Sequence, residues 1–570
     1  MIILCKCRSV SSSKALYDMV SVVLDTTFSI LSIDKMKGLE LMEGKREGKA
    51  EVKNRISKSK VAGVILAAIE LILSFIVVGM VLYTKMVTPV QGIIGAILLC
   101  VIPILVVFMM KYKKARIPGI VIASIFILFL GIAIYYLAVT NKALDKITGN
   151  NTEVAEIKVY VAKEDDVNSI NEAVDKSYVF GKLAAVDAEN VNETIDSINK
   201  DLSVNIEVKE FDSLVEMLGA FEGGYVQAMI ANTAVMSSLD ETEGYEDYTT
   251  EKLKTIMENK VKKDVVKETA QDPDRFCMYF SGIDTFGGVN AQARSDVNII
   301  AVVNNDTKQI VLISTPRDYY VDLPAVGNKK DKLTHAGIYG INASMDALEQ
   351  LYDTDISYYV RVNFTGFQNI VDQLGGIDVY SEYAFTSITE EGTYSYSEGE
   401  NHLNGEQALG FARCRMAFRD GDRQRGRNQM EVIKAIVKKM QSSQMLTNYA
   451  GVMDGMSDSF QTDMDKNEIG KLVQDQLQTN SNWTIITYSV SGSDSSQVCA
   501  SVGQSCYVMV PYDKDVNYAK DLINRNLNNE TLTQEEVDNF RMSNSDDDVD
   551  TGIKTDEELA QPDAYEGDPE

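Results

Sequence analysis

Nine arginines but only four lysines lie between Arg294 and Arg427, in a chain of 570 residues with a formal net charge of -28. Acidic residues stand close to most of these arginines. A guanidinium group stays charged and grips phosphate oxygens through two parallel hydrogen bonds, so arginine is preferred where phosphate must be held in one geometry. Carboxylates among them would hold a hard cation such as magnesium or move a proton. The pattern predicts a pyrophosphate site.

A predicted hairpin would position the first of these residues. Alternating and apolar patterns predict strands at residues 297–303 and 309–314, joined by a short polar turn. A preceding strand would end at Asp284, so that Asp284 and Asp296 lie at the ends of neighbouring strand segments. Arg317 follows the hairpin directly. The hairpin therefore predicts that these two carboxylates and this arginine lie near one edge of a sheet.

Helices would position the remaining arginines. A short helix is predicted to deliver Arg413 and Arg415, which point the same way if the segment that carries them is extended. A longer helix begins near Arg425, and Gln429 lies four residues later on the same face of its first turns. The N-terminus of a helix favours negative charge, so arginines there predict a phosphate contact.

Composition limits the classes of partner. The net charge of -28 argues against binding to nucleic acid, because such proteins need a basic face. The seven cysteines include no paired Cys-x-x-Cys motifs of the zinc type. Cys499 and Cys506 lie seven residues apart and would close a small loop in an oxidising space; two thiols are the equal alternative.

Three apolar runs predict a membrane anchor. They cover residues 61–83, 91–110 and 118–140, and each is near the ~20 residues needed to cross the hydrocarbon of a bilayer. Basic residues precede the first run and join the second to the third, which predicts a cytoplasmic N-terminus and everything after about residue 141 outside the cell. Residues 1–60 read as a cytoplasmic leader. Glu70 inside the first run is either functional or a structural, helix-paired residue.

The remaining chain is predicted to be α/β. Residues 151–268 read as a small extracellular accessory domain, with residues 251–269 as a connecting helix or linker. Residues 275–530 predict an α/β/α catalytic domain with a mixed central sheet. From residue 531 to residue 570 the chain is acidic and poor in large apolar residues, which predicts a disordered tail.

Several ordered motifs in residues 275–445 resemble the LytR-CpsA-Psr family of Gram-positive bacteria. These motifs are Gly282-Ile283-Asp284, Arg294-Ser295-Asp296, Pro316-Arg317-Asp318, Ala412-Arg413-Cys414-Arg415, and Asp422, Arg425 and Gln429 at their spacing. Three spans followed by an extra outer domain further resemble the CpsA-type members, which are tied to capsule assembly. Two positions depart from the family pattern, because Phe286 and Asn428 stand where many members carry arginine.

The resemblance implies a phosphotransferase. The family takes a glycopolymer, such as capsular polysaccharide or teichoic acid, from an undecaprenyl-pyrophosphate carrier and joins it to peptidoglycan through a phosphodiester. Carried over by position, Asp284 and Asp296 would hold Mg²⁺, and Asp422 would orient an arginine. The residues expected to grip the pyrophosphate are Arg294, Arg317, Arg413, Arg415, Arg425 and Gln429. Possible further partners are the membrane and capsule-assembly proteins.

Some roles stay open at the level of sequence. Asp284 is the first candidate for the base that activates the acceptor hydroxyl; His335 is a second candidate, with a structural histidine in a loop as its alternative. Tyr394 and Tyr396 read as an exposed loop. The apolar tunnel that a lipid carrier needs would be lined by residues 299–303, 370–374 and 430–440, although each run also fits a protein core.

Two other functions compete with the transferase. A lipid-pyrophosphate hydrolase would use the same arginines and magnesium without joining any product to the wall. A non-catalytic polyprenyl-lipid-binding regulator of capsule synthesis would use the pocket only for binding and the spans for signalling. The arginines themselves could instead form surface ion pairs, which would leave no pocket at all.

Overall fold

The computed structural model describes residues 58–148, 152–239, 242, 244–245, 247–265, 272–283, 288–389, 392–440, 451–453, 459–479, 481–544 and 552–555. The chain divides into two units. The first is Met1–Asp145 with Asp465–Asn480, and the second is Lys146–Met464 with Ser481–Glu570.

Three helices long and apolar enough to cross a membrane dominate the first unit. They are α1 (Lys58–Tyr83), α2 (Pro89–Met109) and α3 (Arg116–Thr148). Their outward surfaces carry many exposed large apolar side chains, as expected for helices that face lipid. The predicted apolar runs therefore correspond to three helices. Another helix of this unit, α14 (Lys466–Thr479), places Lys466 Nζ 2.8 Å from Asp145 Oδ1.

Glu70 lies between the apolar helices with none of its side chain exposed. Within the part of the chain that the structure describes, neither of its carboxylate oxygens has a hydrogen-bond partner. Among the described residues, Glu70 therefore lacks the hydrogen-bonding partner that the helix-paired structural alternative requires. Pro103 lies inside α2.

A five-stranded sheet begins the second unit. Its order is β3-β2-β4-β1-β5, with β2 parallel to β3 and β4, and β1 antiparallel to β4 and β5. The strands are β1 (Thr152–Ala162), β2 (Val179–Leu183), β3 (Glu207–Phe211), β4 (Ala228–Asn232) and β5 (Leu253–Asp264). The helices are α4 (Ile170–Asp175), α5 (Ala188–Leu202), α6 (Leu214–Glu222), α7 (Thr233–Met236) and α8 (Tyr248–Lys252).

The predicted helix or linker at residues 251–269 is wrong for most of its length. Strand β5 occupies Leu253–Asp264 and pairs with β1 along its whole length. Its many lysines and glutamates suggested a solvated helix, but they suit an edge strand equally well, because one face and one edge of such a strand meet water.

A six-stranded mixed sheet forms the rest of the second unit. Its order is β16-β11-β6-β7-β8-β17. The strands are β6 (Arg275–Ile283), β7 (Ser295–Asn304), β8 (Gln309–Thr315), β11 (Tyr358–Asn363), β16 (Phe460–Thr462) and β17 (Thr484–Ser489). Antiparallel pairing of Val302 with Val311 and of Asn304 with Gln309 confirms the predicted hairpin.

Two groups of helices cover the two faces of this sheet. We call the face that carries Ile300 and Ile313 the sealed face, because it packs into one large core with the helices α9 (Leu333–Ala336), α10 (Ile341–Tyr352), α15 (Asp513–Leu527) and α16 (Gln534–Asn544). We call the face that carries Ile299 and Leu312 the open face. It meets the helices α11 (Phe364–Gln373), α12 (Gly405–Arg413) and α13 (Gly421–Met440).

Four antiparallel strand pairs complete the described fold. They are β9 (Tyr320–Leu323) with β10 (Lys329–Lys332), β12 (Ile377–Ser381) with β15 (Gly399–Leu403), β13 (Phe385–Thr389) with β14 (Gly392–Tyr396), and β18 (Gly492–Cys499) with β19 (Gln504–Pro511). The predicted exposed loop at Tyr394 and Tyr396 is wrong. Tyr396 ends β14 and is buried against Phe385 and Phe411, because an aromatic cluster holds this hairpin on α12.

The predicted disordered tail is wrong for its first part. Helix α16 packs on the sealed face through Val537, with Leu532 buried just before the helix and Phe540 packed against the same core. Further on, Ile553 forms a bridge with Phe418, and the Arg419 N–H donates to the carbonyl of Gly552. A few well-spaced apolar residues in an acidic segment were enough to bury it. The predictions for residues 545–551 and 556–570 lie outside the described residues.

The two sheets of the second unit are joined directly, so they are not separate domains. Val154 in β1 bridges to Ala291, which lies just before β7. Glu153 forms a buried ion pair with Arg361 in β11 and also accepts a hydrogen bond from the Ile341 N–H at 3.1 Å. A buried pair of this kind fixes the first sheet against the second in one arrangement.

Candidate functional site: a cavity with an arginine-rich end

A cavity of about 630 Å³ lies between the open face and α11–α13. One end carries charged and polar side chains, and the rest of its wall is mostly apolar. The polar residues on its wall include Arg294, Asp296, Arg413, Arg415, Arg425 and Gln429. The structure therefore brings six of the predicted site residues together around one space.

The strand β7 positions two of these residues. Arg294 immediately precedes β7, and Asp296 is its second residue. Most of the Arg294 side chain is buried, and the Asp296 side chain is 17% exposed. A side chain that leaves the end of a central strand is held by the sheet on both sides, so its position is well defined.

Helix α12 positions Arg413 and Arg415. Arg413 is the last residue of α12, and the extended Cys414 ends the helix. The predicted extended segment therefore begins one residue later than expected, although both arginines still line the cavity. The Arg413 guanidinium lies 4.3 Å from the centre of the Phe364 ring, an arrangement that holds the cation in place while its donors remain available.

The first turns of α13 position Arg425 and Gln429. Asp422 Oδ1 lies 2.8 Å from Arg425 Nη2, so the acidic residue orients this arginine as the resemblance implied. Gln429 donates to the carbonyl of Ala412 at 3.3 Å. Asn428 donates to the carbonyl of Phe411 at 3.3 Å and is buried, so this position contacts α12.

Arg317 lies behind the cavity wall in a buried chain of charges. Its Nη1 is 2.9 Å from Asp296 Oδ1, and its Nε is 3.5 Å from Asp318 Oδ2. Lys332 Nζ is in turn 3.1 Å from Asp318 Oδ1, and the side chains of Arg317, Asp318 and Lys332 are fully buried. Arg317 thus fixes Asp296 at the cavity from behind.

The Asp422 carboxyl group holds a proton more readily than an exposed aspartate does. Burial raises the pKa of the Asp422 carboxyl above its usual range. The neighbouring Asp318 carboxylate raises this pKa further, whereas Arg425 and Arg317 lower it. Two carboxyl groups this close favour sharing a proton, because two buried negative charges repel each other.

The apolar part of the cavity wall comes largely from two helices. Its wall includes Phe367, Ile370, Ile433, Ile436, Val437 and Met440, from α11 and α13. Two of the predicted tunnel runs, residues 370–374 and 430–440, thus contribute to the wall. Residues 299–303 do not line the cavity, and their buried members belong to the cores on the two faces of the sheet.

The structure describes one of the two carboxylates that were predicted to hold Mg²⁺. Mg²⁺ takes one or two carboxylates and completes its shell with substrate oxygens and water. Asp296 provides one such carboxylate at the cavity. Asp284, the second predicted ligand and the first candidate for the base, lies outside the described residues, immediately after β6.

The two histidines lie away from the cavity. His335 is buried, with Nδ1 2.6 Å from Asp331 Oδ1 and 2.9 Å from Ser501 Oγ, which supports the structural alternative over the base. His402 Nδ1 lies 2.7 Å from Asp378 Oδ1 on the β12–β15 pair. Neither ring can reach a ligand at the arginine-rich end.

Other arginines in this part of the chain belong to the scaffold. Arg361 pairs with Glu153 between the two sheets. Arg423 donates to Ser491 Oγ at 2.7 Å, and Arg427 pairs with Asp420. Sequence reasoning missed Asp318 and Lys332 as site-supporting residues. The signal in the sequence was that Asp318 directly follows Arg317 within a motif; Lys332 had no such signal.

A family model describing the LytR_cpsA_psr family matches residues 241–517. A second model, for a DNA polymerase processivity factor, matches residues 113–231. That range starts in the third apolar segment and ends in β4.

Among known proteins, the chain is 36% identical over 230 residues to a polyisoprenyl-teichoic acid–peptidoglycan teichoic acid transferase, TagU, of Enterococcus faecalis. The match covers 38% of this chain and 74% of that relative. It is 34% identical over 214 residues to the transferase TagT of Bacillus subtilis, covering 36% of this chain and 65% of TagT.

Solved structures show a weaker overall similarity. A structure of the LytR-CPS2A-psr family protein TagT with bound octaprenyl pyrophosphate lipid is 25% identical, with a TM-score of 0.35. It covers 46% of this chain, and 95% of that chain is matched.

Proposed function

The chain belongs to the LytR-CpsA-Psr family, and from the cavity described above we propose that it transfers a glycopolymer from a polyprenyl-pyrophosphate carrier to peptidoglycan. One observation carries the proposal: four arginines and Gln429 meet at one end of a cavity whose remaining wall is largely apolar. A pyrophosphate attached to a long hydrocarbon needs both environments at this spacing.

The polar end suits the charge of a pyrophosphate. Arg294, Arg413, Arg415 and Arg425 offer fixed positive charge from the sheet edge and the α12–α13 connection. Phosphoryl transfer depends mainly on positioning and on neutralising negative charge that is spread over several oxygens. Because Asp422 holds the Arg425 guanidinium in place, that group needs little reorganisation when the ligand binds.

The apolar part suits the polyprenyl chain. Ile433, Ile436 and Val437 lie along α13 and face the open side of the sheet, so a hydrocarbon can lie beside them. Each buried methylene group contributes about 0.8 kcal/mol to binding. A water-soluble nucleotide would need hydrogen bonds along this part of the wall, and the apolar side chains offer none.

The reaction we propose joins an acceptor hydroxyl of peptidoglycan to the phosphorus next to the glycan. The bond from that phosphorus to the bridging oxygen breaks, and polyprenyl phosphate leaves. Asp284 would accept the hydroxyl proton, and Arg294 with Arg413 would hold the phosphate oxygens during transfer. Mg²⁺ bound to Asp296 and Asp284 would add positive charge at the same oxygens.

The membrane anchor indicates on which side of the membrane the reaction would occur. Basic residues flank the first apolar helix and join the second to the third, so we propose that the N-terminus is cytoplasmic and that both sheets lie outside the cell. The carrier and the wall would then be on the same side as the cavity. A capsular polysaccharide and a teichoic acid both fit as the polymer, because the cavity contacts the pyrophosphate and the lipid.

The test uses the full chain in detergent with lipid-linked glycan, magnesium and peptidoglycan. Arg413→Ala and Asp296→Ala are each expected to lower the rate of covalent attachment by about 10²–10³-fold, the usual cost of removing a group that stabilises transition-state charge. Arg541→Ala, an exposed arginine on α16, is the matched control and should keep the wild-type rate.

Three results would contradict the proposal in different ways. Attachment at the wild-type rate in both pocket variants would rule out this cavity as the reaction site. Release of sugar phosphate without linked product would favour the lipid-pyrophosphate hydrolase. Tight lipid binding without either product would favour the non-catalytic regulator of capsule synthesis.

A further inference from the structure

A second group of reactive side chains lies at the end of the β18–β19 hairpin. In the register of this hairpin Cys499 pairs with Gln504, and Cys506 pairs with Gln497. Cys506 is therefore two residues from the position opposite Cys499. Because side chains alternate along a strand, Cys499 and Cys506 point to the same face of the hairpin as diagonal neighbours.

Both sulfurs are buried in one small cluster. Cys499 has no exposed surface and Cys506 is 6% exposed, and both pack with Val502 and Val508. The Cys506 thiol donates to the carbonyl of Gln504 at 3.7 Å. Diagonal neighbours on a hairpin have Cα atoms about 7–8 Å apart, so bond formation requires the two strands to shift slightly, to the roughly 7 Å limit of disulfide geometry.

We infer that Cys499 and Cys506 form a disulfide bond in the mature protein. The step is thiol–disulfide exchange with an external disulfide, R–S–S–R. The Cys506 thiolate attacks one sulfur of that disulfide and releases R–S⁻. Cys499 then loses its proton and attacks the mixed disulfide, which releases the second R–S⁻. Two cysteine thiols are oxidised and one external disulfide is reduced to two thiols.

The surroundings of Cys506 favour this direction of attack. The hydrogen bond from Cys499 lowers the pKa of the Cys506 thiol, and the nearby Lys332 and His335 lower it further, although burial opposes them. The thiolate is the nucleophile in exchange, so Cys506 is the attacking residue. The inference also rests on the proposed location of the hairpin outside the cell, where disulfides persist.

The bond would close a loop that supports the arginine site from behind. Inside this loop the Ser501 N–H donates to Asp331 at 2.7 Å, and the carbonyl of Val502 accepts from the Val215 N–H of α6 at 3.2 Å. Asp331 directly precedes Lys332, which holds Asp318. The disulfide would thus fix the contact among the loop, α6 and the charges behind Arg317.

A bound metal ion is the competing use of the same sulfurs. Ligand atoms of Asp331, His335 and Cys499 lie within 4.8 Å of one another, and all three residues are buried. Such a site needs Cys499 as a thiolate, so a metal and a disulfide exclude each other. The chemical state of the two cysteines therefore decides between them.

The test traps thiols in the full-length protein. Cells are quenched with acid, the protein is purified from membranes and denatured, and all thiols are blocked with N-ethylmaleimide before any reductant is added. Peptide mass spectrometry then follows each cysteine. Cys499 and Cys506 are expected to stay unblocked until reduction, in a peptide lighter by two hydrogen atoms. Cys277, whose sulfur faces Thr354, is the internal control and should be blocked without reduction.

Variants keep the result independent of transferase activity. In Cys499→Ser, the remaining Cys506 should become reactive to N-ethylmaleimide without reduction. In the wild type, blocking of both cysteines without reduction would overturn the inference. Stoichiometric zinc that is lost in Cys499→Ser, together with blocked thiols, would overturn it in favour of the metal site. An intact disulfide in a protein that attaches no polymer would leave the inference standing and contradict only the proposed function.

Discussion

Both faces of the six-stranded sheet carry apolar residues, but one face is fully packed and the other borders a cavity. On the sealed face, Ile300 and Ile313 are fully buried in one large core under α10, α15 and α16. On the open face, α11 and α13 stand away from part of the sheet and leave a cavity of about 630 Å³. Ile299 and Ile300 are neighbours in β7, yet they belong to different clusters.

This difference shows that the cavity is a property of the covering helices. A strand with apolar residues on both faces is typical of a sheet covered on both sides. On this face, α12, the connection after it and α13 carry arginines that line the cavity. Burying these charges directly against the apolar sheet would cost free energy unless each found a partner, so the arginines oppose closure of the space.

The largest expected effect concerns the buried ion pairs that Asp318 forms with Arg317 and Lys332. Lys332→Met leaves Asp318 buried beside Arg317 with one countercharge fewer. Loss of one partner of a buried ion pair costs about 3–5 kcal/mol in the free energy of unfolding. Urea unfolding of the full chain in detergent, followed by the fluorescence of the single tryptophan, Trp483, measures this change.

Lys330→Met is the control for that substitution. Lys330 lies 3.4 Å from Asp322, but its side chain is 49% exposed. An exposed ion pair contributes about 0–1 kcal/mol. Equal losses in the two variants would mean that the buried chain of charges does not stabilise the edge of the sheet more than a surface pair does.

A smaller effect separates the two faces themselves. Ile313→Ala removes side-chain volume from the sealed core and should cost about 2–5 kcal/mol of unfolding free energy. Ile433→Ala is the matched change on the cavity wall, where the residue already borders open space. It should cost clearly less stability but weaken binding of a polyprenyl pyrophosphate, measured by lipid titration. The reverse order of stabilities would contradict the distinction between the faces.

The smallest effect is a dependence of stability on pH. Burial raises the pKa of Asp422 above its ordinary value of 3.8, so the folded protein holds this proton more tightly than the unfolded chain does. The contribution of Asp422 to stability is therefore complete below pH 3.8 and is lost as the pH rises through the raised pKa.

Asp422→Asn removes this titration. Its unfolding free energy should fall less than that of the wild type between acidic and neutral pH, and the same urea experiment at a series of pH values measures the slopes. The exposed Asp322→Asn change is the control and should leave the wild-type slope nearly unchanged. Parallel curves for the wild type and Asp422→Asn would contradict the raised pKa.

Alternation and spacing predicted much of the fold, because they report which side of an element is buried. The β7–β8 hairpin and the three apolar helices follow from such patterns. Strand β5 and helix α16 were missed because their charged residues outnumber the apolar ones. In both, a few buried side chains meet a surface that exists only after the rest of the unit has folded.

The sequence predicted the residues on the cavity wall but not the buried residues that hold them in place. Arginine motifs indicated Arg294, Arg413 and Arg425, which the structure places on one cavity. Lys332 gave no such signal, because a lysine in a polar stretch normally lies in water. Its burial depends on Asp318, and that contact between a hairpin exit and the start of α9 cannot be deduced from one sequence.

The short segment that bridges Ile553 to Phe418 has a consequence for the order of events during synthesis. The Lys554 N–H donates to the carbonyl of Ala417 at 3.0 Å, in the connection between α12 and α13 that carries Arg415. The ribosome makes this connection well before it makes residues 552–554. A nascent chain therefore contains the residues of α12 and α13 well before the residues that cover the backbone between them, so this contact at the arginine-rich end can form only late in synthesis.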